Sequence, residues 1–215
     1  MEYLNEQIKI SFTGVIRSVR PRSNVWRYRL DNRTHGLTGF NLFLTGKAEN
    51  DEERSFAVAI SAAQQEKMRF HIGDGIEGTA WTKKYPKWEY ADYYRAGALK
   101  KISAVPAAES SGPPWLDETP GADVYNWRGC RMLAKSRWSR KCFQCKWAAM
   151  ANVTIEYDWG EQQKFRFESF CYGPRSCPLY DMGKPRPVPC KDCGEDYDDG
   201  CLDDICTQNR RDDDE

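Results

Sequence analysis

The 215-residue chain is poor in histidine: His35 and His71 are the only two, and neither stands in a metalloprotease or nucleophile–base motif. It has no phosphate-binding loop or dinucleotide fingerprint. The one glycine-rich stretch, "GDGIEG" at 73–78, has neither the glycine spacing nor the strand-to-helix setting that such a loop needs. These absences point away from an enzyme. No run of about 18 apolar residues occurs, so no membrane-spanning helix is expected. The opening "MEYLNEQIKISF" has no basic start followed by an apolar core, so a secretory leader is not expected either. A cytoplasmic, reducing setting follows as the expectation, and there thiols bind metal more often than they pair. No internal repeat is evident.

One apparent absence, that of net charge, is a cancellation. Counting Lys and Arg against Asp and Glu, residues 1–104 carry +5, 105–124 carry −4, 125–186 carry +7 and 187–215 carry −8. Basic segments of this kind suit a polyanionic partner, and acidic ones suit solvated linkers or tails. Residues 105–124 hold four of the eleven prolines and no basic residue, the composition of a linker, although Trp115 within it is expected to dock on a neighbour. The chain is therefore divided as 1–104, a linker 105–124, a Cys-rich unit 125–206 and an acidic tail 207–215.

Residues 7–104 read mainly as strands. "IKISFTGVIRSV" alternates apolar and polar residues, "RPRSN" reads as a turn, and "VWRYRLDN", "GLTGFNLFLTG" and "FAVAI" supply further extended pieces. "SAAQQEKMRF" changes character, and Ser61 is placed to cap a short helix. The Gly73–Asp74 turn, Ile76 and Gly78 then open another strand. This order resembles the OB-fold, a five-stranded barrel with a helix between its third and fourth strands. The resemblance covers about half the chain and rests on "SAAQQEKMRFHIGDGIEGTAW". The fold class expected is mainly β: a small OB-like barrel joined to a metal-stabilised hairpin unit, with an SH3-like or PUA-like barrel as the alternatives.

Cysteine, in contrast to histidine, is abundant, with nine residues. Cys142-Phe-Gln-Cys145 has the spacing that lets two thiolates meet one metal from a tight turn. Val153, Ile155 and Tyr157 alternate before a "DWGEQ" turn, and Phe165 and Phe167 follow it. A hairpin there returns Cys171 and Cys177 beside the first pair, which is the logic of a zinc ribbon. The five residues between Cys171 and Cys177 exceed the usual zinc-turn spacing, and Cys177-Pro178 also resembles the ending of ferredoxin-type runs, so zinc and a [4Fe–4S] cluster both stay open. Cys130 is a further thiol or a small buried hydrophobe. Cys190, Cys193, Cys201 and Cys206 form a possible second metal site. Seven acidic residues lie among them, and a bound divalent cation would relieve their mutual repulsion.

Cations interleaved with aromatics suggest a surface for single-stranded nucleic acid, charge following phosphates and flat rings stacking on bases. In the resemblance, the loops after strands one and four are the binding loops. The first contains Arg17, Arg20, Arg22, Arg27 and Arg29 around Trp26 and Tyr28; the second contains Lys83, Lys84 and Lys87 among Trp81, Tyr85 and Trp88. Met132, Leu133 and Trp138 suggest a short helix packed on the Cys-rich unit. The expected function is non-catalytic binding of single-stranded DNA or RNA, with protein partners in a larger assembly. The alternatives are an iron–sulfur electron-transfer accessory and a structural protein-docking subunit.

Overall fold

The computed structural model describes residues 6–28, 33–157, 162–184, 186 and 199–210. Its first half holds five strands and one helix: β1 (Lys9–Tyr28), β2 (Arg33–Ala48), β3 (Asn50–Ile60), α1 (Ala62–Met68), β4 (Gly75–Thr82) and β5 (Tyr93–Ser103). The strands pair in the order β2-β3-β5-β4-β1, and β2 also pairs with β1. The five therefore close into a ring, sealed only partly, because β3 and β5 meet in parallel at the single pair Val58–Tyr93. Leu42 and Leu44 on β2, and Phe56, Val58 and Ile60 on β3, recur every second residue and are all buried. Such alternation sends one face of each strand into the ring, where Phe12 and Ile16 of β1 and Ile76 of β4 meet it.

α1 forms where the sequence places it. The Ser61 hydroxyl accepts from the Gln64 N–H at 3.1 Å, and the Gln64 side chain accepts from the Ser61 N–H at 2.8 Å, a complete capping box. The predicted turn at "RPRSN" is not formed. β1 runs straight through it, because β2 pairs with it on one side and a later strand on the other. Register shifts at Ile16/Ser18 and Arg22/Ser23 absorb the irregularity, and Pro21 sits just before the second.

The second half comprises α2 (Ala122–Arg128), β6 (Arg131–Met132), α3 (Lys135–Ser139), β7 (Ala148–Tyr157), β8 (Gln162–Cys171) and α4 (Asp199–Cys206). The outer end of β1, residues 22–28, pairs in parallel with residues 150–156 of β7, so β7, β8 and β6 extend the same sheet to eight strands. The Pro-rich stretch between the halves is pinned in its middle. Trp115 packs on the core, its carbonyl accepts from the Lys146 N–H at 2.9 Å, and Lys146 pairs with Asp117. The helix suggested by Met132, Leu133 and Trp138 is split: Met132 belongs to β6, opposite Phe170, and only Trp138 lies on α3. No helix among the described residues is long and apolar enough to cross a membrane.

Candidate functional site: a cation–aromatic pocket and four neighbouring thiols

The expected binding residues separate into interior and surface groups. Arg20 is 1% exposed, held among the rings of Phe43, Trp138 and Phe143. Arg27 is fully buried and pairs with Glu168 at 3.2 Å. Neither guanidinium offers a surface to a phosphate. The long, doubly paired β1 draws the first loop's arginines into the sheet, an outcome the reading of "RPRSN" as an exposed turn did not anticipate. Trp26 and Trp81 are half-buried in strands. Only the backbone of Tyr28 is described, and Arg29 lies outside the described residues.

Three of the expected residues meet despite a separation of some sixty positions. Arg22 from β1 and Lys84 and Tyr85 from the β4–β5 loop line a cavity of about 300 Å³, with Tyr94, Arg95 and Glu89 completing its wall. Arg22 Nη2 donates to the Thr38 carbonyl at 2.9 Å, while its buried Nε has no hydrogen-bond partner among the described residues. Burial lowers its pKa, against the pull of Tyr94 and Glu89. Gly39 makes room beside it: at φ 137°, a Cβ there would meet the Ile60 carbonyl oxygen at 2.2 Å. Arg95 owes its position to a bulge, since Arg95 and Ala96 together face Ala80 between the pairs Thr79–Gly97 and Trp81–Tyr94. Its φ of 53° is rare for a residue with a side chain and costs about 1 kcal/mol or more. Tyr94 and Arg95 fall within the expected loop 81–95 but are not singled out by the sequence, because a bulge is not visible in strand alternation.

The rest of that loop faces elsewhere. Trp88 stacks on Tyr85, meets Phe165 of β8 at 4.4 Å between centroids, and its carbonyl accepts from Asn152 of β7 at 3.0 Å. Lys83 is half-buried and Lys87 exposed. A larger groove, about 990 Å³, opens along β1, β4 and β5. It collects Lys9, Lys47 and Lys100 with Glu49 and Glu77, and none of the expected binding residues lines it.

The β7–β8 hairpin forms as the alternation predicts, and its register sets Cys171 opposite Ala148, three residues after Cys145. Cys142, Cys145 and Cys171 are buried and Cys177 is half-buried, all four with free thiols. Burial first, and the neighbouring Cys171 second, raise Cys142 to about 11 and Cys145 to about 12. Cys177 is raised too, by burial and then, against opposing backbone N–H groups, by Cys171. Backbone N–H groups point at three of the sulfurs: Gly173 at Cys171 (3.3 Å), Trp147 and Trp115 at Cys145, Leu179 and Tyr180 at Cys177. Amides so placed favour the thiolate. Among the described residues no group of three or more His, Cys, Asp or Glu side chains is preformed to hold a metal ion. The donor chemistry nonetheless suits zinc or an iron–sulfur cluster, since both take four thiolates.

Cys130 is fully buried beside Tyr172. Of the second cysteine group, Cys190 and Cys193 lie outside the described residues, only the backbone of Cys201 is described, and Cys206 is half-buried in α4. That helix packs back on the Cys-rich half, with the Asp203 carboxylate accepting from the Met132 N–H at 2.9 Å and Asp204 pairing with Arg175 at 2.7 Å.

No protein-family model, curated protein or solved structure matches this chain.

Proposed function

We propose that the chain is a non-catalytic binder of single-stranded DNA or RNA, built on an OB-fold-like barrel and carrying a four-cysteine metal site, and that it works within a larger assembly. The barrel reading is supported by the ring order, by the parallel contact of its third and fifth strands, and by the helix between the third and fourth. The observation that carries the function is the pocket at the end of β3, where three cations stand beside two tyrosine rings and the Arg22 Nε has no hydrogen-bond partner among the described residues. A phosphate on those cations with a base against Tyr85 or Tyr94 is the chemistry such a site accepts.

Fluorescence anisotropy with labelled single strands of DNA and of RNA tests this at several salt concentrations. Binding should weaken with salt. The Arg22→Ala, Lys84→Ala pair should flatten the log–log salt slope by roughly 1.4, about 0.7 for each lost phosphate contact. Absence of binding to either strand at low salt refutes the proposal. For Cys142, Cys145, Cys171 and Cys177, the ligand is zinc or [4Fe–4S], supported by the amide N–H groups at three of the sulfurs. A visible absorption spectrum with metal analysis separates the two, and more than one metal centre per chain would implicate Cys190, Cys193, Cys201 and Cys206.

A further inference from the structure

Each of the two cysteine turns is wrapped by buried guanidinium. Arg20, reaching across from β1, donates to the carbonyl of Phe143 inside the Cys142–Cys145 turn and to that of Trp138 at 3.3 Å. Arg210 donates to the carbonyls of Cys171 at 2.9 Å and Gly173 at 2.5 Å. Arg131 donates to those of Pro174 at 2.6 Å and Arg175 at 3.3 Å, within the Cys171–Cys177 loop. The three are 1%, 5% and 7% exposed. Among the described residues none of them has a carboxylate at ion-pair distance, whereas Arg27, equally buried, has Glu168. Carbonyl dipoles and ring faces solvate a guanidinium in part, but three such charges in one interior call for negative charge nearby. Sulfurs are within their electrostatic reach, after Tyr90 at Arg20 and beside the Tyr180 ring at Arg131: Cys145 and Cys142 for Arg20, Cys171 and Cys130 for Arg210, Cys177 for Arg131.

We propose that Arg20, Arg131 and Arg210 are the counter-ions of a four-thiolate metal centre formed by Cys142, Cys145, Cys171 and Cys177. Four thiolates on a divalent ion, or on a cluster core of the same charge, leave two net negative charges, which the three surrounding guanidiniums face and more than offset. This rests on the reading that the four thiols hold a metal. It adds that the ring and the Cys-rich half are coupled through that charge, because Arg20 stands on a strand of the ring. Without the metal the same three arginines lose that counter-charge, so their neutral variants should cost the metal-free chain least.

The test uses the full chain and zinc as the probe. Zinc affinity is read by competition with a chromogenic chelator, and thermal unfolding is followed with and without the metal. Arg20→Met, Arg131→Met and Arg210→Met should each lower zinc affinity about 10- to 100-fold, while the metal-free variants unfold at the wild-type temperature or above. Arg→Lys at the same positions, which keeps the charge, should restore most of the affinity. If a Met variant does not fold, Arg→Gln against Arg→Lys carries the same comparison with a donor retained. Wild-type affinity in the neutral variants, or equal destabilisation of both forms, overturns the proposal and makes the arginines structural caps of the loops. A wild-type chain that binds no zinc and shows no cluster absorption overturns the metal reading itself. If the wild type is isolated with a coloured cluster, retention of its visible absorption replaces zinc affinity in every arm.

Discussion

Inside the five-strand ring, Phe12, Ile16, Leu42, Leu44 and Phe56 pack on one another. Farther along the same sheet, the interior holds Arg20, Arg27, Arg131, Glu168 and Arg210 beside the cysteines. The ring is an ordinary apolar core, and removing its surface from water stabilises it by about 25 cal/mol per Å². The other half buries charge, which is unfavourable unless every charge is compensated. Both halves share one apolar core, but only the second adds buried guanidinium groups to it. The difference accounts for the long β1, which belongs to both: its inner residues line the ring, and Arg20 and Arg27 reach into the polar half.

On the proposed four-thiolate site, withdrawing metal should break this contrast most strongly. A structural thiolate site contributes on the order of 10 kcal/mol to folding. Chelation, or Cys171→Ser, should therefore abolish amide protection across β7, β8 and α4 while β3 and α1 stay protected; hydrogen exchange reads both halves at once, and uniform loss would show that they are one cooperative unit. The next largest effect is expected from Glu168→Gln, which leaves Arg27 buried without its carboxylate. We expect a loss of about 3–5 kcal/mol by denaturant unfolding, and a smaller loss in Arg27→Met with Glu168→Gln combined than in the single variant. Within the ring, Leu42→Ala should cost about 2–5 kcal/mol through the cavity it leaves, with zinc affinity unaltered.

The smallest effect concerns pH. Burial alone would raise Asp74, but Lys101 at 2.8 Å and the backbone N–H groups of His71 and Val105 outweigh it and hold the carboxyl below its usual range. Because the folded pKa is depressed, the stability it confers is present above the unfolded value near ~3.9 and lost as pH falls through the folded value. Asp74→Asn should flatten that part of the acid-stability profile. An unchanged profile would place the acid sensitivity elsewhere.

Much of the local structure was legible from residue order. The Ser61 cap, the strand that opens after Gly73–Asp74, and the hairpin that returns Cys171 toward Cys145 all follow from spacing within a few residues. The course of β1 was not, since "RPRSN" has turn chemistry and becomes strand only because two partners pair with it from either side. The cation–aromatic pocket was half legible. Arg22, Lys84 and Tyr85 belong to basic–aromatic loops, whereas Arg95 joins them through a bulge, and Arg20 and Arg27 leave the surface with the sheet.

Sequence alone determined that the chain is mainly β, that its charges are segregated by segment, and that two cysteine turns are joined by a hairpin, because these depend on alternation, capping and short spacing. Tertiary structure alone decided that a single strand would serve both halves, which arginines would be buried, and that three of them would close around the cysteine turns with no carboxylate at ion-pair distance among the described residues. Burial of a charge depends on what the rest of the chain packs over it, and no local pattern records that.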